Sequence, residues 1–336
     1  MEHEKKPVTL AAIAQELGVS TATVSLALQN KKGVSDNTRK LVCETAQRLG
    51  YVYNRSAARL RTQRSFTIGL VLPNLTNPFF TELTDSVEEE VEAAGLSLLL
   101  AKTSEDLSRQ QKAFQSMLEY QVDGLLLCPA SGTTLSDLKL LRDAQVPLVL
   151  FTRSLSGFQG DYVGANNEKG TFLACEYLLT KGHRKICFIG GKSHSPTRKE
   201  RYKGYAEALK QKGILPLVEW DMPSETSLKG GYESIQKLLS LPDPPTATVC
   251  YNDVVAFGVI LGLWAAQLVP GKEFAVVGFD NIADAALWSP PLTTIATPPV
   301  EVGKVGITLL LDRISSPTNP PREVILEPSL LVRESS

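Results

Sequence analysis

Two runs of apolar strands alternating with amphipathic helices constrain the fold of this chain more than any other feature. The first run has predicted strands at 66–72, 96–101, 124–128 and 146–151, and the second at 185–189, 248–251 and 274–279. Helices are predicted between them, near 78–94, 107–120, 135–144, 168–179, 199–212, 231–239 and 253–266. Continuous apolar strands separated by helices are typical of parallel sheets covered on both faces. The pattern therefore predicts two doubly wound α/β lobes, with a ligand-binding cleft at the carboxyl ends of their strands.

The first 50 residues have a different pattern, that of three short helices. Thr9 is a predicted N-cap for a helix that ends before Gly18, and Ser20 is a predicted cap for a second helix over 21–29. Ser35 opens a third helix, 36–49. Three short helices with a tight, glycine-containing turn between the first two predict a helix-turn-helix.

The charge of the chain supports a separate N-terminal module. Residues 1–64 carry 11 basic and 5 acidic side chains, a net charge of +6, whereas the remainder carries 24 and 31, a net charge of −7. A small basic region attached to a larger acidic body is typical of a polyanion-binding module joined to a domain with another role. A merely solvated basic terminus is the alternative that charge alone leaves open.

Motifs for catalysis, metal binding and secretion are incomplete. Gly191-Lys192-Ser193 lacks the first glycine of a phosphate-binding loop, because position 186 is Ile186, and Ser195 stands where a hydrolase elbow needs glycine. Three histidines make a metal cluster improbable, and His183 fits a helix end. The five cysteines have no paired spacing and the N-terminus is polar, so we expect buried thiols, no cofactor, no membrane association and a cytoplasmic protein.

Motifs along nearly the whole chain, in the expected order, resemble those of the LacI/GalR repressors. The matching segments are Pro7-Val8-Thr9-Leu10, Gly18-Val19-Ser20, Thr23-Val24-Ser25, Asn77-Pro78-Phe79-Phe80, Arg201-Tyr202-Lys203-Gly204-Tyr205, Asn252-Asp253, Val277-Gly278-Phe279-Asp280 and Pro291-Leu292-Thr293-Thr294-Ile295. The resemblance implies a helix-turn-helix DNA-binding domain (1–53), a hinge helix and linker (54–65) and a two-lobed effector domain (66–336) like that of periplasmic binding proteins. Its N-lobe would comprise about 66–166 and 298–321, and its C-lobe about 167–297 and 322–336.

The resemblance also implies which residues contact DNA. Thr21, Ala22 and Leu26 would enter the major groove, while Ser20, Thr23, Ser25 and Gln29 would hold phosphates or neighbouring groups. Thr9 and Leu10 are the other predicted DNA-binding residues of this domain. Many relatives carry arginine in place of Leu26, whereas Ala22 and Leu26 offer only apolar contact, which best suits thymine methyl groups. The alternative is that Leu26 belongs to the core of the three-helix unit.

The hinge implied by the resemblance would form a helix only on DNA. Asn54 to Arg61 is too short to be a stable helix alone, because isolated helices need about 12 to 15 residues. Two such segments would pack through Ala57, and Leu60 would wedge into the minor groove. Asn54 is also predicted to contact DNA, and Arg55 would face a phosphate. A passive basic tether is the alternative.

The predicted effector site combines both lobes. Arg201 offers a fork of five donors, Asp280 offers two acceptor oxygens beyond a strand end, and Asn252 can donate and accept. From the N-lobe, Asn74, Asn77 and Phe79 would close over the ligand, with Phe79 stacking on a sugar or a base. A plain Arg201–Asp280 salt bridge is the alternative. A sugar or sugar derivative is the expected effector, with a purine as the alternative.

The resulting prediction is a repressor of transcription, not an enzyme, that binds palindromic operator DNA as a homodimer. The tetrameric members of the family end in a leucine heptad helix, whereas this sequence ends soon after a strand-like segment, 329–332. A transport solute-binding protein shares the two-lobed fold, but it would need a secretion signal and would lack the helix-turn-helix. An enzyme on the same architecture would need a motif that the sequence lacks.

Overall fold

The computed structural model describes residues 8–28, 32–51 and 64–336. These form two compact units, which meet in sequence between Arg64 and Ser65. No single helix in the described ranges is long and apolar enough to span a membrane, although the bent pair formed by the first two helices meets that test when both are counted together. The same ranges contain no group of three His, Cys, Asp or Glu side chains that could hold a metal ion.

The first unit contains three helices around a small apolar core. They are α1 (Leu10–Leu17), α2 (Thr21–Leu28) and α3 (Asp36–Leu49). Thr9 caps α1 by accepting a hydrogen bond from Ala12 N at 3.3 Å, and Gly18 ends it in the left-handed region, with φ of +65°. This turn sets α1 and α2 at 108° to each other, as in a helix-turn-helix. Ile13, Val24 and Val42, one from each helix, are fully buried.

The second unit contains two six-stranded sheets with helices on their faces. Its strands are β1 (Thr67–Leu72), β2 (Ser97–Lys102), β3 (Gly124–Leu127), β4 (Leu148–Phe151), β5 (Asp161–Ala165), β6 (Ile186–Ile189), β7 (Asp221–Met222), β8 (Ala247–Cys250), β9 (Ala275–Asp280), β10 (Thr293–Ala296), β11 (Glu323–Leu326) and β12 (Ser329–Leu331). Its helices are α4 (Pro78–Ala93), α5 (Leu107–Glu119), α6 (Lys139–Asp143), α7 (Asn167–Thr180), α8 (Pro196–Gln211), α9 (Leu228–Leu239), α10 (Asp253–Ala265) and α11 (Pro299–Ser315). Single 3₁₀ turns lie at Leu135–Leu138, Val218–Trp220 and Ala283–Ala286.

The strand order defines two lobes. The N-lobe sheet has the order β11-β5-β4-β3-β1-β2, and all its neighbouring strands are parallel. The C-lobe sheet has the order β12-β10-β9-β8-β6-β7, in which only the pairing of β12 with β10 is antiparallel. Buried apolar side chains of the strands, such as Ile68, Leu126, Ile189 and Val276, belong to the hydrophobic core. Both lobes are therefore doubly wound sheets.

The chain passes between the lobes three times, each time after the carboxyl end of a strand. It enters the C-lobe after β5, returns to the N-lobe after β10 and enters the C-lobe again after β11. The N-lobe return was expected to end at residue 321, but β11 extends it to Leu326, because Glu323 to Leu326 pair in parallel with Tyr162 to Ala165. Of the tail, 322–336, the segment that pairs with the C-lobe sheet is β12.

The cysteines differ in part from the expectation of buried thiols. Cys128, Cys175, Cys187 and Cys250 are buried and unpaired, whereas Cys43, on α3, is exposed. Burial raises the pKa of the Cys175 thiol to about 12. The four buried thiols are therefore packing groups of the sheets and helices.

Candidate functional site

The six predicted effector residues line one cavity between the lobes. This interlobe cavity has a volume of about 80 Å³. The predicted residues on its walls are Asn74, Asn77, Phe79, Arg201, Asn252 and Asp280. The strands explain why they meet, because Asn74 follows β1, Asn252 follows β8 and Asp280 ends β9. Parallel strands bring their carboxyl ends to one edge of each sheet, and the two edges face each other across the cavity.

Arg201 is the central cation of the cavity. Its Nε donates to Asn167 Oδ1 at 2.9 Å, Nη1 donates to the carbonyl of Tyr251, and Nη2 lies 3.4 Å from Asp280 Oδ1. The guanidinium carbon lies 3.6 Å from the centre of the Phe279 ring, so the planar fork is held by stacking as well as by hydrogen bonds. Arg201 is in the second turn of α8 and not at its start as predicted, because Ser195 caps this helix and Pro196 is its first residue.

Asp280 is a buried carboxylate with an unusual backbone conformation. Its φ is +112°, a value that non-glycine residues rarely adopt, and its side chain is almost fully buried. Burial raises the pKa of Asp280 to about 6, although Arg201, Asn77 and Asn252 act in the opposite direction by stabilising the charged form. The long contact with Arg201 leaves this carboxylate with acceptor capacity for a ligand.

Asn252 presents a buried donor to the cavity. Its Oδ1 caps α10 by accepting a hydrogen bond from Val255 N at 3.1 Å. Its Nδ2 lies near enough to Asp280 to lower that pKa, but it has no partner at hydrogen-bonding geometry in the described ranges. A buried amide donor without a partner costs free energy, which a ligand acceptor would recover.

The N-lobe side is built by the start of α4. Asn74 Oδ1 accepts a hydrogen bond from Asn77 N at 3.0 Å, and Asn77 Oδ1 caps α4 by accepting from Phe79 N at 3.2 Å. Phe79 is buried and packs edge to face with Phe80, with ring centres 5.4 Å apart. The two asparagines therefore fix the first turn that carries the aromatic ring.

Sequence reasoning missed a second charged pair on the N-lobe side. Arg153 donates twice to Glu105, at 2.7 and 2.9 Å, and once to the carbonyl of Pro129 at 3.0 Å. Both charged side chains line the interlobe cavity. Burial opposes the charge of Glu105, but the bonds from Arg153 outweigh it and lower the pKa of Glu105. Each residue follows a strand end, Glu105 after β2 and Arg153 after β4, so the rule that located Asp280 could have located them.

Asp253 was also missed, and it holds the loop that follows Asp280. It is fully buried, accepts a hydrogen bond from Ile282 N at 2.9 Å and accepts another from Thr294 Oγ1 at 2.5 Å. Burial and the nearby charge of Asp280 both raise the pKa of Asp253. Asp253 therefore joins the loop after Asp280 to the neighbouring strand β10 without lining the cavity itself.

A direct bond joins the two lobes beside the cavity. Glu82, on α4 of the N-lobe, accepts a hydrogen bond from the backbone N–H of Ala283 in the C-lobe at 3.2 Å. Glu82 is half-buried, and Ala283 begins the 3₁₀ turn that follows β9. The structure thus holds the lobes in contact on the side of α4.

The helix α2 presents a small, mostly apolar outer face. Thr21 and Ala22 are exposed, and Leu26 is half-buried, four residues after Ala22 and on the same side of the helix. Within the described residues, Leu26 is not one of the side chains packed against the core of this unit, in contrast to Leu28. The proposal that Leu26 belongs to that core is therefore not supported.

Other predicted DNA contacts lie in several environments. Ser20 Oγ accepts from Thr23 N at 3.1 Å and bonds Thr23 Oγ1 at 2.9 Å, so both hydroxyls are at the start of α2. Ser25 is mostly buried on α2, whereas Ser20 is exposed, and the contact of Ser25 with a phosphate stays a prediction. Leu10 packs in part against the core. The predictions for Gln29, Asn54, Arg55, Ala57 and Leu60 fall outside the described residues.

Comparison with family models covers both units. Residues 65–333 match the periplasmic binding proteins and sugar binding domain of LacI family, and residues 9–54 match the bacterial regulatory proteins, lacI family. The chain belongs to the LacI family. As a LacI-family chain it is a repressor with a DNA-binding helix-turn-helix and a two-lobed effector domain.

Individual relatives match this chain over almost its whole length and theirs. The chain is similar to the ribose operon repressor of Haemophilus influenzae, with 33% identity over 97% of this chain and 98% of that protein. It is 32% identical to the HTH-type transcriptional repressor PurR of Photobacterium profundum over 97% and 98% of the two chains. The Lac repressor dimer bound to operator and the anti-inducer ONPF superimposes with a TM-score of 0.87, at 26% identity, over 98% of this chain and 99% of that one.

Proposed function

We propose that the operator affinity of this LacI-family repressor is controlled by an uncharged sugar bound in the interlobe cavity. The observation that carries the proposal is the convergence of donors and acceptors from both lobes on one small cavity. Asn77 belongs to the N-lobe, and Arg201, Asn252 and Asp280 belong to the C-lobe. A ligand that bonds both sets stabilises one arrangement of the lobes, which is what effector control requires.

The charges of the cavity favour a neutral ligand. Arg201 is paired with Asp280, and Arg153 is paired with Glu105. No other arginine or lysine lines the cavity in the described part of the chain, so a phosphate group would find no unpaired cation there. Sugar hydroxyls both donate and accept, and they match the carboxylate of Asp280 and the unpaired Nδ2 of Asn252. The similarity to a ribose operon repressor supports the same ligand class.

For the operator, we infer that α2 enters the major groove. Thr21, Ala22 and Leu26 form its outer face and would contact bases, while Ser20 and Thr23 at its first turn would contact phosphates. Thr9, exposed at the start of α1, would be a further phosphate contact. Leu26 in place of a charged or amide side chain favours operators with thymine at the contacted position.

We further infer a homodimer that acts in the cytoplasm as a regulator of transcription and not as an enzyme. Large apolar side chains are exposed on the neighbouring helices α9 and α10 of the C-lobe, namely Leu228, Tyr232, Leu261 and Trp264. An exposed apolar surface of this kind is typical of an interface between subunits, and a twofold dimer matches a palindromic operator. The similar Lac repressor is a dimer on its operator.

A gel-shift experiment with the full chain tests the proposed function. The probe is DNA from upstream of the gene and its neighbours, and ribose is the first of a panel of neutral pentoses and hexoses. We expect a specific retarded band whose intensity changes with one sugar at millimolar concentration. A purine that acts in its place would contradict the sugar proposal while leaving the cavity proposal intact.

Two cavity variants and one control make the test specific. Arg201→Ala and Asp280→Ala should keep operator binding and lose the response to the sugar. Lys203→Ala, on the exposed side of the same helix α8, should respond like the parent. Normal responses in both cavity variants would remove Arg201 and Asp280 from the effector site.

A further inference from the structure

A second cavity lies in the N-lobe, at the opposite edge of the sheet from the interlobe cavity. Its volume is about 550 Å³, within the range of small-molecule sites. Leu148, the first residue of β4, and Asp161, the first residue of β5, both line it. The cavity therefore opens at the amino ends of these strands, whereas the interlobe cavity lies at the carboxyl ends. We call it the amino-edge cavity.

The lining of the amino-edge cavity is largely apolar and includes one aromatic ring and three proline rings. Leu135, Leu138 and Phe158 line one part, and three proline rings line another, those of Pro147, Pro317 and Pro321. Gly160 leaves room for the ring of Phe158, since a Cβ on Gly160 would be 2.4 Å from Phe158 Cζ. Apolar flat surfaces of this kind suit an aromatic ring.

A network around Arg313 holds the proline wall in place. Arg313 Nε donates to Asp161 Oδ2 at 2.8 Å, and the Nη groups donate to the carbonyls of Pro317 at 3.0 Å and Pro320 at 3.2 Å. Asp161 accepts a further bond from the backbone N–H of Arg322 at 2.9 Å. The segment after α11 is thus bound to the start of β5, and the cavity is preformed. These bonds also occupy the guanidinium of Arg313.

Arg142 is the cation that remains available. It lines the amino-edge cavity near the end of α6 and is exposed. Its side chain makes no hydrogen bond or ion pair with any residue in the described part of the chain, whereas the neighbouring Lys139 pairs with Asp143 at 3.1 Å. An unpaired guanidinium beside an apolar cavity is complementary to a carboxylate attached to an apolar body.

We propose that the amino-edge cavity binds a small aromatic carboxylate, with its ring against Phe158 and the prolines and its carboxylate on Arg142. This site differs from the effector site in position and in ligand charge. The two sites are nevertheless connected by one segment, residues 152–160. Thr152 and Arg153 at its start line the interlobe cavity, and Gly157 to Gly160 at its end line the amino-edge cavity.

Isothermal titration calorimetry of the full chain with 1-naphthoate tests the proposal. We expect saturable binding of one molecule per chain. Arg142→Gln should weaken 1-naphthoate binding about tenfold, as expected for the loss of a charge-assisted pair, and should leave the affinity for uncharged 1-naphthamide unchanged. Lys139→Gln, one turn earlier and outside the cavity lining, should change neither affinity.

A second pair of variants tests the cavity itself. Leu135→Trp would fill the cavity and should weaken both probes about tenfold or more, whereas Leu140→Trp, on the neighbouring exposed surface, should not. Arg201→Ala in the interlobe cavity should leave naphthoate binding unchanged. The proposal is overturned by an absence of saturable binding, by equal effects of Arg142→Gln and Lys139→Gln, or by loss of binding in Arg201→Ala.

Discussion

At Asp280 a single proton decides whether this carboxyl offers a charged acceptor to the ligand. Burial raises the pKa of this carboxyl to about 6, with Arg201 limiting the rise. Asp280 is therefore ionised at pH 7.5 and largely protonated at pH 5.5. Sugar hydroxyls that donate to the carboxylate need the ionised form, so the proton competes with the effector.

We expect the affinity of the chain for its sugar effector to fall about fourfold between pH 7.5 and pH 5.5, the ratio of ionised fractions for a pKa of about 6. Calorimetric titration across this range measures it. Asp280→Asn should bind more weakly at pH 7.5 and show no such dependence. Glu105 should not contribute, because its pKa is lowered and it stays charged throughout. An affinity independent of pH in the parent chain would contradict this role of Asp280.

Leu26 is the residue from which we expect an altered base preference. Its side chain is half-buried and lies outside the packed core, so Leu26→Ala should unfold at nearly the parent temperature. Removing its methyl groups should reduce the preference for thymine at one operator position, by less than the about 1 to 3 kcal/mol that a whole mismatched base pair typically costs. Selection from random DNA measures the consensus of each protein. Leu41→Ala, an exposed leucine on α3, is the matched control and should keep the parent consensus.

The candidate site was predictable at the residue level where a polar side chain directly follows a strong strand or begins a helix. Asp280 ends an apolar strand and Asn252 caps α10, and the structure places both in one cavity. Glu105 and Arg153 lie in the loops after β2 and β4 without ending a strand or capping a helix, and they are brought together across those loops. Sequence spacing does not report which loops meet, so their pairing needed the structure.

Among the elements of the chain, the predicted hinge is the one whose order we expect to change on operator binding. The eight residues from Asn54 to Arg61 are too few for an independent helix, so their order should depend on DNA. Leu60→Ala should weaken operator binding, reduce DNA bending and reduce the effector response, because the wedge that offsets the unstacking of the central base step is lost. Gel shifts on circularly permuted operator fragments measure the bend. Binding to non-operator DNA should not change, and a variant that bends DNA like its parent would favour a passive tether.

Short elements account for most differences between the predicted and observed fold. The strands β5, β7, β10 and β11 were not predicted. The equally short β3, β4, β6 and β8 are runs of mostly apolar residues, whereas β5 includes Asp161 and Gly164, β10 begins with two threonines and β11 begins with Glu323. Their pairing with neighbouring strands stabilises them, and this information is not local in sequence. The helices α8 and α9 begin three residues earlier than predicted, because Ser195 and Ser227 cap them. The long apolar strands and amphipathic helices were predictable because their periodicity is local.

At the scale of the whole molecule, the exposed face of α9 and α10 should form the dimer interface. Trp264→Glu places a charge within this apolar surface and should shift the chain toward monomer in sedimentation velocity, with weaker operator binding as a result. Leu215→Glu, at an exposed leucine of the same lobe but on another surface, is the control and should remain dimeric. Dimers of unchanged stability in Trp264→Glu would place the interface elsewhere.

Because the chain passes between the lobes three times, a ribosome cannot complete the N-lobe before it has made most of the C-lobe. Strands β1 to β5 emerge first, but the edge strand β11 and the helix α11, which packs on β3, β4 and β5, are made only after the whole span 167–296. At about 5 to 20 residues per second, the delay between β5 and β11 is on the order of 10 to 30 s. The C-lobe can therefore assemble its central strands before α11 covers the N-lobe sheet. During synthesis, the apolar face awaiting α11 is where we expect chaperones to bind the nascent chain.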